Sequence, residues 1–167
     1  MADELVDFIS EDGKIIKSVS KYEAHEKGLL HGCVIALLFN SKDDLMLIKP
    51  PSTKQDAGKY VCPVGGHISS DESEIEALKR EVEEEIGLND FKYKRIGQAI
   101  FARHVLGRHE NHLFVMFEIY SDQKPTAGTE LESMHWFKKE SLKTKLKDHP
   151  KDFGDAFYFV FEHFYKN

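Results

Sequence analysis

Cysteine, excess basic charge and long apolar stretches are all scarce in this chain, and each shortage removes a class of function. Cys33 and Cys62 are the two cysteines among 167 residues; they offer at most one bridge, and neither sits in a metal-type spacing such as C-x-x-C. Cys33 lies in an apolar run and reads as core packing, and Cys62, just before Pro63, as a small buried hydrophobe. The longest apolar run, Cys33 to Phe39, is far too short to span a bilayer. The opening Met1-Ala-Asp-Glu-Leu has no basic region followed by an apolar stretch, so the expectation is a soluble, cytoplasmic protein with no membrane partner. A formal net charge of −6 argues against a nucleic-acid polymer as partner, which needs a basic face, while local basic clusters can still hold a small phosphorylated ligand. Repeats and low-complexity stretches are absent as well.

With 41% hydrophobic and 31% charged residues, the chain can bury one good core and is too short for two ordinary domains, so residues 1–167 read as a single domain. Leu5 to Ile9 and Lys14 to Val19 flank Asp12-Gly13 and predict an N-terminal β-hairpin. Strands are predicted over 33–39 and 44–49, joined by a turn at 40–43, and near 59–64, 93–103, 112–120 and 134–137, with helices near 139–146 and 153–165. Trp136, Phe137 and the aromatics from Phe153 to Tyr165 read as core rather than as a stacking platform for a base. A mixed sheet flanked by helices, an α/β class, suits this order.

The segment from Gly66 to Leu88 carries the chemistry. It reads Gly66-x5-Glu72-x7-Arg80-Glu81-Val82-x-Glu84-Glu85-x-Gly87-Leu88. Asp71 with Glu74 three residues on suits a helix start, Ile75, Leu78, Val82 and Ile86 form an apolar stripe, and Gly87 suits a C-cap, which predicts a helix over about 72–86. Glu81, Glu84 and Glu85 then stand at i, i+3 and i+4, so three like charges project from one face. A glutamate run is usually just a solvated helix surface, and Glu83, on another face, reads that way. Against that reading for the other three stands the loop Pro63-Val64-Gly65-Gly66 directly before, whose glycines let backbone approach the carboxylates. Clustered carboxylates without matching cations suit a divalent metal, and oxygen-only ligands favour Mg²⁺ or Mn²⁺ over zinc. Such a metal would make hydroxide available near neutral pH and neutralise phosphate charge, which points to hydrolysis of a phosphoanhydride.

This pattern resembles the box of the Nudix hydrolase superfamily at every defined position. The resemblance implies the Nudix α/β/α sandwich, Mg²⁺ (or Mn²⁺) as cofactor, Glu81, Glu84 and Glu85 as its ligands, Arg80 as the arginine that orients a box glutamate, and Glu72 as a supporting acid. Dimers are common in the superfamily, which allows a homodimer.

A second set of residues resembles the isopentenyl-diphosphate isomerase branch: His25, His31, His67 after Gly66, and Glu110-Asn111-His112, matching histidine and acidic metal ligands there. The resemblance implies a second, softer metal such as Mn²⁺ or Zn²⁺ among His25, His31, His67, Glu110 and His112, with His67 the one to touch ligand. Two proton-transfer groups of that branch are changed: its cysteine is Gly65 here, and its Glu-x-Glu is Glu110-x-His112. Moving a proton onto and off carbon needs an acid and a base on either side of the substrate, so these changes weigh against isomerisation.

Lys49 and Lys54 match the positions that hold diphosphate in that branch, and Arg103, His104, Arg108 and His109 form a further basic stretch suited to a diphosphate's far oxygens. Gly65, Gly66 and His67 complete the expected substrate contacts, and Glu132 lies where some Nudix enzymes place a base, with a strand-edge charge as its plain alternative. The leading expectation is a metal-dependent hydrolase of a nucleoside diphosphate or a nucleoside diphosphate-linked compound. A prenyl-diphosphate activity, isomerisation included, and a non-catalytic nucleotide-binding module are the alternatives.

Overall fold

A nine-residue strand organises the molecule. In the computed structural model, which describes residues 2–126 and 133–166, β3 (His31–Phe39) pairs in parallel with β7 (Arg108–Tyr120) along one edge, His31 opposite His112 through Phe39 opposite Tyr120. Its other edge is shared by three antiparallel strands: β1 (Leu5–Ile9) at His31, β5 (Val64–His67) over 33–36 and β4 (Leu45–Lys49) at Leu38 and Phe39. β2 (Ile15–Ser20) extends the sheet beyond β1, β8 (Ser133–Phe137) beyond β4, and β6 (Lys92–Val105) beyond β7. The result is a mixed eight-stranded sheet.

An unbroken apolar run is what a strand covered on both faces requires. Alternation sends Cys33, Ile35, Leu37 and Phe39 to a core with Leu142, Phe153, Phe157 and Val160, supplied by α3 (Lys139–Asp148), α4 (Asp155–Phe164) and the turn between them. Val34, Ala36 and Leu38 go to the other face, against Ala77, Leu78, Val82 and Ile86 of α2 (Glu74–Ile86). Helices thus cover both faces, as an α/β/α sandwich demands, and the N-terminal hairpin is present. No helix among the described residues is long and apolar enough to cross a membrane.

Several local expectations change. Ser73, not Asp71, caps α2: its hydroxyl accepts from the Glu76 N–H while the Glu76 carboxylate accepts from the Ser73 N–H, and Asp71 takes a left-handed φ of 66° in the turn before. At the other end Gly87, φ 66°, closes the helix as expected. The strand expected at 59–64 reduces to single bridges at Tyr60 and Val61, and continuous pairing starts only at Val64. A helix absent from the sequence reading, α1 (Lys21–Lys27), starts at the Ser20 cap and stops at Gly28. Trp136 is 42% exposed, so it is surface rather than core. Glu132 lies outside the described residues.

Candidate active site

β4 and β5 leave a gap on the edge of β3, and a cavity of about 650 Å³ opens there. Glu81, Glu84 and Glu85 form one wall, Ile35, Ile48, Val61 and Phe157 an apolar floor, and Lys54, Arg103 and Arg108 a basic wall.

The acidic wall is built by the turn into α2. Arg80 grips Glu72 with two parallel bonds, Nε to Oε1 at 2.7 Å and Nη2 to Oε2 at 2.9 Å, and Nη2 also donates to the His67 carbonyl at 2.9 Å. Its third nitrogen, Nη1, holds the Glu81 carboxylate at 2.5 Å. A planar guanidinium suits this, because its fork fixes the helix, the loop and one carboxylate together. Glu72, bonded to Arg80, is held below the usual carboxylate range. Burial pushes Glu81 the other way, above that range, with Arg80 opposing and the Glu84 charge adding to the rise. Glu85 accepts from the Gly65 N–H at 3.0 Å, while the Glu84 side chain is 60% exposed.

Gly66 explains the closeness of loop and helix: a Cβ there would lie 2.1 Å from Cδ and Oε1 of Glu81. A cradle closed only by the lack of a side chain and lined by hard carboxylate oxygens fits a hard dication such as Mg²⁺ or Mn²⁺.

The basic wall differs from expectation. Arg103 Nε donates to Glu110 Oε2 at 2.7 Å, and Nη1 lies 3.5 Å from Asp56, so this arginine is already neutralised. Arg108 donates to the other Glu110 oxygen at 2.8 Å yet stays 46% exposed. Glu110, expected as a metal ligand, therefore has both oxygens committed to guanidinium groups. Lys49 does not line the cavity; its ammonium sits 4.6 Å from the Tyr60 ring centre. Arg108, named in the expected basic stretch, does line the cavity; Asp56, in the loop between β4 and β5, was missed, because only its long-range approach to Arg103 marks it.

Four histidines meet beyond this cavity, among them His67, whose ring turns into the cluster instead of lining the pocket. His25 comes from α1, His31 from β3, His67 from β5 and His112 from β7, and one ring nitrogen of each lies within 4.8 Å of the others. The parallel register sets His31 beside His112, and the antiparallel one sets His67 opposite Cys33. Desolvation lowers all four imidazoles, His25 to about 4, His67 to about 3 and His112 to about 2, so they are neutral donors near pH 7. Such a set can hold a metal.

The model of the NUDIX domain family matches residues 29–157. An isopentenyl-diphosphate Delta-isomerase of Serratia proteamaculans is 26% identical over 156 residues, covering 90% of this chain and 86% of that protein. An uncharacterized Nudix hydrolase of Pseudomonas aeruginosa is 28% identical over 99 residues, 59% of each chain. Among solved structures, a Deinococcus radiodurans protein superposes with TM-score 0.74 at 20% identity, covering 98% of this chain and 100% of its own, a likeness of fold alone. The MutT protein of Methanosarcina mazei gives TM-score 0.64 at 26% identity, covering 81% and 92%.

Proposed function

The chain belongs to the Nudix family and is a hydrolase acting on acid anhydrides, and from that premise we propose that it cleaves the phosphoanhydride of a nucleoside diphosphate or a nucleoside diphosphate-linked compound with the help of a divalent metal. The observation that carries this reading is the acidic wall facing a basic one across a single small cavity. Glu81, Glu84 and Glu85 would hold Mg²⁺, with Mn²⁺ as substitute; when bound, such an ion neutralises phosphate charge and lowers the pKa of water.

The chain's own residues do the rest. Arg80 fixes Glu81 and the loop so that the carboxylates are preorganised, which spares reorganisation during reaction. Lys54 and Arg108 are placed to steady the far phosphate, while Arg103, tied to Glu110 and Asp56, stiffens that wall. Ile35, Ile48, Val61 and Phe157 give the organic part an apolar seat.

The kinship with isopentenyl-diphosphate isomerases favours a second reading, prenyl-diphosphate chemistry. The site speaks against isomerisation: Gly65 offers no acid, and the nearby Cys62 thiol is pushed up by burial to about 12, too high to give a proton readily or to sit as thiolate.

Phosphate release, with and without an added phosphatase, from nucleoside di- and triphosphates, nucleotide sugars, dinucleotides and isopentenyl diphosphate in Mg²⁺ and Mn²⁺ tests both. A clear preferred nucleotide, lost in Glu84→Gln, is the expected result. Proton exchange into isopentenyl diphosphate in deuterated water, without phosphate release, would install the second reading, and tight nucleotide binding without turnover would mark a binding module.

A further inference from the structure

The cavity beside the box has a neighbour. Under α4, between β3 and α3, lies a second chamber of about 270 Å³, more than the water-sized voids that close packing ordinarily leaves. Leu37, Leu45, Leu142, Phe161 and Phe164 line it. Its polar groups are already partnered. Glu118 Oε1 accepts from the Tyr165 hydroxyl at 2.9 Å and Oε2 accepts from Tyr120, while Lys139 and Lys143 lie 2.7 and 4.0 Å from Asp43 and Glu140. With those atoms satisfied, what the chamber offers an occupant is apolar surface.

One side chain belongs to both spaces. Phe157, 0% exposed, lines the cavity between the acidic and basic walls and also the chamber, and among the described residues it alone is shared. The order is set by β3: Ile35 faces the cavity and Leu37 the chamber, two residues apart on the same face of the strand, an advance of about 6–7 Å. The Phe157 ring stands where the two floors meet.

That ring is braced on both sides. Residues 153, 157, 161 and 165 recur every four along α4 and its two ends, so their rings form one column: Phe153 and Phe157 have centres 5.6 Å apart, Phe157 and Phe161 6.3 Å, and Phe161 and Tyr165 6.3 Å. Tyr165, at the end of the column, is fixed in turn by its hydroxyl on Glu118. Swinging Phe157 aside would break ring contacts above and below it, so the apolar floor of the cavity ends at a fixed surface.

We propose that Phe157 is the specificity-determining residue of the site: it closes the floor, limits the organic part of the substrate to a compact group seated on Ile35, Ile48 and Val61, and keeps the chamber behind it out of reach. The proposal rests on the phosphoanhydride reading, since it takes the acidic and basic walls to hold the diphosphate end. A smaller side chain at 157 joins the two spaces, and the chamber then extends the active site for a longer hydrocarbon.

The test titrates the full chain in Mg²⁺, by calorimetry, with n-alkyl esters of methylenediphosphonate, in which a carbon replaces the anhydride oxygen so that nothing is hydrolysed. In the wild type, affinity should rise about fourfold per methylene and stop rising once the chain meets Phe157. In Phe157→Ala the rise should continue through chains about 6–7 Å longer. Phe157→Leu, which fills more of the core if the alanine variant does not fold, should move the limit part of the way. Phe161→Leu, which alters the chamber alone, should leave the limit in place. A wild type with no limit, no gain in affinity with chain length, a limit unmoved by the Phe157 variants, or one moved equally by Phe161→Leu would overturn the proposal. Phosphate release from the matching alkyl diphosphates and from nucleoside diphosphates separates the two claims: a limit that moves without any turnover sinks the hydrolytic reading alone, and turnover with a limit that stays put sinks the role of Phe157 alone.

Discussion

Glu81 and the four histidines are both taken out of water, yet burial pushes them in opposite directions. Desolvation disfavours whichever form is charged, so it raises the Glu81 carboxyl and lowers the imidazoles. The carboxylate wall is thereby left in want of a cation, and the histidine pocket in want of an electron acceptor. The two regions are one residue apart on β5. A Cβ at Gly66 would run into Glu81 of α2, and the ring of His67 turns the other way into the cluster, because successive residues of a strand face opposite sides. A single short strand thus separates a hard, partly exposed oxygen site from a soft, enclosed nitrogen one.

The largest effect should come from Glu84→Gln, which removes a charge from the exposed end of the acidic wall. A loss of about 10³ in kcat, some 4 kcal/mol of transition-state stabilisation, with Tm nearly unchanged, is expected from steady-state kinetics and calorimetry. Near-full activity would show that the carboxylate wall is not the reacting one. Gly66→Ala comes next: the added methyl must displace the Glu81 carboxyl, so turnover should fall about 10–100-fold and stability by about 1–3 kcal/mol. Gly65→Ala, whose Cβ meets only the flexible end of Ile35 at 3.1 Å, should do markedly less, and equal damage from the two would erase the asymmetry drawn for β5. Arg80→Lys keeps the charge but forfeits the fork on Glu72, and a loss of about tenfold in kcat is expected from steady-state kinetics.

The smallest effect is a pH dependence confined to the histidine side. The folded-state pKa values there lie below the unfolded value of roughly 6.5, so the unfolded chain binds more protons between the two. Stability of the metal-free protein is then full above about pH 6.5 and falls as pH drops toward 4, where His25 begins to charge in the folded state. Thermal melts of chelated protein from pH 8 to 4.5 read this directly, and a flat Tm across that range would contradict it. Lys21 and Arg108, which also lower His25, add to the penalty for charging it, while Glu110 offsets it.

Legibility from sequence followed the range of the interactions. The α2 stripe and its Gly87 stop, the hairpin at Asp12-Gly13 and the doubly buried run of β3 are set by neighbours a few residues away, and periodicity exposed them. The α1 helix had its signals, Ser20-x-x-Glu23 and Gly28, but seven residues hold too little periodicity to stand out. Capping at Ser73 instead of Asp71 was a contest between two plausible caps two residues apart, and Asp71 is taken up by the left-handed turn before the helix. The capture of Glu110 by Arg103 and Arg108 depends on the β6–β7 hairpin, and the meeting of four imidazoles depends on two strand registers and a helix at once. Residues 25, 31, 67 and 112 could be named from resemblance, but their separation from the cavity could not.

One consequence concerns insertions and deletions. Because β3 alternates between the α2 face and the α3–α4 face, a shift of one residue against β7 exchanges every side chain between layers. His31 would leave the cluster, Ile35 would leave the cavity floor, and Val34 and Ala36 would vacate the surface on which α2 rests. The chain can thus vary in the loops at either end of β3, but the strand itself admits no change of length: adding or removing one residue within 31–39 would undo core, cavity and histidine pocket in the same stroke.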